Sequence, residues 1–217
     1  MVASSVSGSG YALLPCLPFV GIEDFNAHPY YPDVFAEDFE IWADYVARRS
    51  CVDMAEDPLL IGYTLCPRPA FQKQGKGTWA CGLDLKDPDG LKKLWQTVER
   101  YYQVVTRAIK QYDPHHLILG HRFNQSLDTP AWCLEIAADY TDAILANWWI
   151  PDLTSVGNVL DHWHNLTGKP ILISDIAFLC PTTLRPAGQG EIFSTANAHE
   201  EKHTSVWLRP CVMSLIF

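Results

Sequence analysis

Four short stretches put polar and aromatic side chains at the ends of otherwise apolar runs: Cys66-Pro67-Arg68, His121-Arg122-Phe123-Asn124, Asn147-Trp148-Trp149 and Ser174-Asp175. These residue types can do chemistry. A carboxylate such as Asp175 acts as a nucleophile or holds a developing positive charge, which makes it the candidate catalytic residue. Arg68, His121, Arg122, Asn124 and Asn147 carry the donors and acceptors that orient a small molecule, and the face of Trp148 or Trp149 suits the apolar side of a ring. These six positions (Arg68, His121, Arg122, Asn124, Asn147 and Trp148) are the candidate substrate-binding residues. Each also has a plainer reading. Asp175 fits a polar strand end, Arg122 a buried partner in a structural pair, and the two tryptophans a core position. Tyr63 lies inside an apolar run and reads as core.

The elements that must position these residues follow from periodicity. Phe35, Phe39, Trp42, Val46 and Arg49 fall at helical spacings within Asp33–Val52, and Asp33 after Pro32 is placed to cap the start. Asp57-Pro58 breaks that helix, and the run Leu59–Leu65 has the length and composition of a buried strand. Asp87-Pro88-Asp89-Gly90 opens a second helix with Leu91, Leu94, Val98, Tyr101, Tyr102, Val105 and Ile109 on one face. A strand over His116–Phe123 follows Asp113-Pro114. Thr129-Pro130 starts a third helix with proline at its first turn, which leads to a strand over Ala143–Trp149. A fourth helix over Leu153–Leu166 ends at Gly168, before a strand over Pro170–Asp175.

Helix and strand alternate, and every strand is apolar on both faces. Both features predict parallel strands covered by helices, an α/β protein. In such sheets the carboxyl ends of the strands carry the site, which is where the polar stretches fall. No Gly-rich phosphate loop follows any strand, so a nucleotide cofactor is not expected.

Composition narrows the function further. The 217 residues are 48% hydrophobic and 19% charged, enough for a packed core, and residues 1–31 read as an irregular leader to a single domain over 32–217. A formal charge of −9 disfavours nucleic acid and anionic membranes as partners, and no apolar run is long enough to span a bilayer. The seven cysteines are scattered without a CxxC pair, and the leader lacks a cationic start, so free thiols in the cytoplasm are expected. The sequons at Asn124 and Asn165 carry no weight without secretion. His199-Glu200-Glu201-Lys202-His203 matches the HExxH zinc signature, yet no His, Asp or Glu follows His203 as a third ligand, so it reads as a solvated helix face and no metal is expected.

Three segments, Asp57-Pro58-Leu-Leu-Ile-Gly-Tyr63, Asp113-Pro114-His-His-Leu-Ile-Leu-Gly-His-Arg-Phe123 and Gly168-Lys-Pro-Ile-Leu-Ile-Ser-Asp175, resemble the β-agarase-like branch of the TIM-barrel glycoside hydrolases over about Pro32 to Phe178. The resemblance implies a (β/α) barrel and hydrolysis of O-glycosidic bonds in a carbohydrate, without a cofactor. It makes the four strands the fourth to seventh of eight, an incomplete barrel of four to five βα units. TIM barrels typically take about 250 residues. Exposed sheet edges then predict self-association.

The family's acid/base Glu stands after the fourth strand, where this sequence has Arg68. Its nucleophile stands after the seventh, matched here by Asp175, and Arg122 lines the sugar site. Arg cannot give up a proton near neutral pH. The alternative expectation is therefore a non-hydrolytic or inactive relative repurposed for another small molecule.

Overall fold

The structure is a computed structural model that describes residues 12–20, 33–67, 71–72, 74, 78–124, 129–148 and 156–176, with the backbone alone at 66–67, 148 and 175–176. Among the described residues four helices and four strands alternate: α1 Glu37–Cys51, β1 Gly62–Pro67, α2 Pro88–Tyr112, β2 Leu117–Asn124, α3 Ala131–Tyr140, β3 Ile144–Trp148, α4 Val156–Thr167 and β4 Ile171–Ile176. The strands form one parallel sheet in the order β1-β2-β3-β4, which is the expected α/β arrangement. Among the described residues the sheet is open, and the barrel expected from the resemblance is not closed.

Local chemistry explains most helix boundaries. Asp87 caps α2, its side chain accepting from the Asp89 amide at 3.2 Å, and Pro88 stands in the first turn, where its missing N–H costs nothing. Pro130 is the residue before α3 rather than its first turn; its extended backbone (ψ 147°) suits the N-cap position. Asp33 does not cap α1. Its carboxylate accepts from the Phe35 amide, holding a turn before a helix that begins at Glu37.

The buried stripe of α1 is Phe39, Ala43, Val46, Ala47 and Cys51. Phe35 and Trp42, expected on that stripe from spacing alone, are 62% and 46% exposed. Trp42 instead stacks on Tyr45 and donates its indole N–H to the Phe19 carbonyl at 3.0 Å. Glu40 on the same helix pairs with Arg100 and Arg107 of α2.

Residues 12–20, part of the stretch read as an irregular leader, run alongside β1. Leu13 and Cys16 bridge Leu60 and Thr64 in the parallel sense. The Leu13 amide donates to Leu59 at 2.7 Å, the Thr64 amide to Pro15 at 2.8 Å and the Leu17 amide to Thr64 at 2.8 Å. Leu17, Phe19 and Val20 are buried. Pro15 and Pro18 lack the N–H that an uninterrupted ladder needs, which is why the pairing stays at isolated bridges. The run Leu59–Leu65 pairs regularly with β2 only from Gly62, because Leu59 and Ile61 direct backbone groups to Leu13.

The two sheet faces differ. Tyr63, Leu65, Ile118, Phe123, Ile144, Ala146 and Ile173 join the helices in the main core. Leu119, Ala143 and Leu145 form a second cluster with Leu14, Ile61 and Leu172 on the opposite, inner face. The assignment switches within β2 at Gly120. One step on β1, Tyr63 to Thr64, matches two on β2, Ile118 to Gly120, a bulge that leaves an extra residue and resets which side chains face the helices. Gly120 has φ +71°, and a Cβ there would lie 2.6 Å from Thr141 Cγ2. Only glycine takes this backbone without strain. Gly62 is fixed by a different constraint: a Cβ would meet the Leu117 carbonyl oxygen at 2.3 Å.

Candidate active site at the carboxyl edge of the sheet

The bulge decides where the sequence-predicted residues go. His121 points to the helix layer. It is 1% exposed, stacked on Tyr101 at 5.4 Å and edge-on to Tyr102 and Phe71 at 5.3 and 5.4 Å. Its ring therefore serves the aromatic core behind the sheet and not the face that carries Arg122. Arg122 and Asn124 alternate with the core residues His121 and Phe123, and so lie on the inner face. Asn147 likewise alternates with Ala146 and shares the face of Leu145.

Backbone register brings three of the predicted residues into one row. Asn124 pairs with Asn147, and Asn147 pairs with Asp175. The step from Ala146–Ile173 to Asn147–Asp175 skips Ser174, a further irregularity, which carries Asp175 to the level of the two asparagines. Trp148 pairs with Ile176 one step beyond. All of these positions are at the carboxyl ends of their strands, the edge on which α/β enzymes place their chemistry. Arg68 and Trp149 lie outside the described residues, as do the His199–His203 motif and the tail after Ile176. The backbone of Pro67, the residue before Arg68, pairs with Arg122.

Two residues that sequence reasoning did not select join this face. Thr64 lies between Tyr63 and Leu65, both in the helix-side core, so it faces inward, and its hydroxyl donates to the Pro15 carbonyl at 3.2 Å. The Cys16 thiol donates to the Leu65 carbonyl. Burial pushes that thiol above its ordinary range, while the Thr64 hydroxyl and the Arg122 charge pull it partly back, so the positive guanidinium acts close to Cys16. A raised thiol is protonated at neutral pH and is not a nucleophile. The Gly inside an apolar strand was the available signal for the bulge; nothing in the leader's proline-broken pattern signalled Cys16.

The described side chains along this face are acceptors, donors and the Arg122 cation. Asn147 is 3% exposed, and its Oδ1 has no hydrogen-bond partner among the described residues. Arg122 and Asn124 have partners of their own. No group of three His, Cys, Asp or Glu side chains among the described residues converges as a metal site. Such a face can bind and orient a polar molecule.

The opposite, amino end of the sheet holds a denser polar cluster. Asp113, 1% exposed at the end of α2, accepts from the Tyr63 hydroxyl at 2.6 Å and from the His115 and His116 amides at 3.0 and 3.1 Å. The His116 ring adds a contact at 2.7 Å. Burial pushes the Asp113 carboxyl up, but these donors outweigh it and hold the group down at about 2. Burial and the neighbouring carboxylate push the Tyr63 phenol up. One connection along, Asp142 accepts from the Ile118 amide at 2.7 Å while its own amide donates to the Ile118 carbonyl at 2.8 Å.

A parallel sheet with helices on one face and polar residues along its carboxyl edge defines an α/β chain. Solved structures support that class. The chain is similar to the agarase AgWH50C (17% identity, TM-score 0.59), over 76% of this chain and 30% of that one. It is similar to PfGH50B (16%, TM-score 0.61) over 88% of this chain and 36% of that one. A β-glucuronidase from Bacteroides uniformis aligns at 15% identity and TM-score 0.52, over 82% of this chain and 20% of that one. The chain thus spans about a third or less of these structures' length. No family profile matches the sequence, and no curated protein matches it. Among the described residues, no helix is long and apolar enough to cross a membrane.

Proposed function

We propose that this chain is part of a TIM-type glycoside hydrolase-like barrel that binds a carbohydrate at the carboxyl edge of its sheet and acts on O-glycosidic bonds, with Asp175 as the strand-end carboxylate. The observation that carries the reading is the register row Asn124, Asn147, Asp175 at that edge, in a fold similar to an agarase and a β-glucuronidase. Asp175 meets the positive charge of an oxocarbenium-like transition state. Arg68, Arg122, Asn124, Asn147 and Trp148 bind and orient the sugar. His121 contributes by fixing the strand from behind. The protein works without a cofactor, in the cytoplasm, and completes its sheet by association through the open edges.

Arg68 favours a second reading, a relative that binds a sugar-like small molecule without hydrolysing it. Two-carboxylate glycosidases need an acid to protonate the leaving group, and Arg68 stands where the family keeps it. The two readings separate in one assay: hydrolysis of aryl and alkyl glycosides by the wild type, Asp175→Asn and Arg68→Glu. On the hydrolytic reading the wild type cleaves aryl glycosides, whose leaving groups need no protonation. Asp175→Asn then loses several orders of magnitude in turnover, and Arg68→Glu gains on alkyl glycosides. Folded protein that turns over nothing in any of the three forms overturns hydrolysis in favour of the second reading.

A further inference from the structure

Asn147 is buried to 3% exposure at the row's centre, yet its Oδ1 accepts no hydrogen bond among the described residues. A buried amide oxygen left without a donor destabilises the fold, and buried polar groups elsewhere in proteins are almost always paired. The contrast within this chain is direct: buried Asp113 accepts from four donors. Below Asn147 on the same face lies Leu145, which pairs with Leu172 of β4 and shares one apolar cluster with Leu119. An apolar residue would continue that stripe at no polar cost. Arg122 and Asn124, polar residues of β2 on this face, have partners of their own.

We infer that Asn147 is a specificity-determining acceptor whose donor is a hydroxyl of an uncharged sugar ring; the inference rests on the carbohydrate reading above and extends it to the ligand's chemistry. A carbonyl oxygen accepts from a hydroxyl and repels a carboxylate, so the group seated against Asn147 is a neutral hydroxyl rather than the acid group of a uronate. In the free protein the unpaired oxygen lowers stability; ligand binding supplies the missing donor. Stability and binding are therefore opposed at this one position, which a structural asparagine does not produce.

The test uses the full chain, Asn147→Leu and Asn147→Ala. Thermal unfolding and titration calorimetry are run with methyl β-D-galactoside, methyl β-D-glucoside, agarose-derived oligosaccharides and glucuronic acid. Expected are a higher midpoint for free Asn147→Leu than for wild type, and an affinity for the bound neutral sugar weaker by about tenfold, the loss of one hydrogen bond. One deoxy analogue of that sugar weakens wild type by the same factor and leaves Asn147→Leu unchanged. A lowered midpoint for Asn147→Leu makes the amide structural and overturns the inference. If that variant does not fold, Asn147→Ala carries the binding comparison: loss confined to one hydroxyl supports the inference, and wild-type affinity overturns it. A sugar bound equally by wild type and variant overturns the inference and leaves the carbohydrate reading standing. A wild type that binds none of the probes overturns both.

Discussion

The two ends of this sheet treat buried polar groups in opposite ways. At the amino end, Asp113 is enclosed and accepts from a phenol, two backbone amides and an imidazole, and Asp142 and Ile118 exchange hydrogen bonds in both directions. At the carboxyl end, Asn147 is just as enclosed but its carbonyl oxygen has no donor among the described residues. A closed network with every lone pair used makes one structure rigid and leaves nothing for a ligand. An open acceptor weakens the free protein and gives a ligand something to complete. On the proposed reading the same sheet separates holding together from binding, as parallel barrels do, where the amino end carries stability and the carboxyl end carries chemistry.

The largest effect is expected at the closed end. Asp113→Ala removes the acceptor shared by four donors and strands the buried Tyr63 hydroxyl, so unfolding free energy should fall by about 3–5 kcal/mol, read by urea denaturation. The same carboxylate sets an acid limb. Its folded value, about 2, lies below its ordinary 3.8, so its stabilisation is complete above about pH 4 and is lost as the pH falls toward 2. That limb amounts to roughly 2 kcal/mol and should be missing in Asp113→Asn. Neither variant, where it folds, should alter sugar affinity. A tenfold loss of binding in either one would erase the distinction between the ends.

A smaller effect is expected where the two ends are joined. Gly120→Ala forces a side chain into a φ of +71° and against Thr141 Cγ2, which should destabilise the chain by about 2 kcal/mol. Because the Gly120 bulge puts His121 behind the sheet and Arg122 in front, this variant should also weaken sugar binding. It sharpens the comparison: a change remote from the ligand reaches the carboxyl edge only through strand register.

The order and parallel pairing of the strands were legible because apolar runs of strand length and capped helices alternate, and Asp87-Pro88 marks its helix start without ambiguity. The carboxyl edge was legible too, since Asn124, Asn147 and Asp175 interrupt apolar runs at corresponding places. His121 and Arg122 were not separable in sequence. Alternation alone predicts opposite faces for neighbours but not which faces the helices, and the bulge that decides it depends on one positive φ. The α1 stripe held at Phe39 and Val46 and failed at Trp42, which periodicity ranks as core by hydrophobicity, whereas its half-exposed indole donates its N–H to the Phe19 carbonyl. Leu13 to Val20 read as leader because prolines broke the pattern, yet alternate backbone groups still reach β1. The Tyr63–Asp113 bond joins residues fifty positions apart, a pairing that no local pattern encodes.

The account's central claim is that ligands meet this chain at the carboxyl edge and not at the amino end. Backbone amide chemical shifts of the isotope-labelled chain, followed while the neutral sugars named above are titrated, test it most directly. The account predicts saturable shifts concentrated at Arg122–Asn124, Leu145–Trp148 and Ser174–Ile176, with His115, His116 and Asp142 unmoved. Shifts centred on Asp113–His116, or none at any residue of the carboxyl edge, would contradict it.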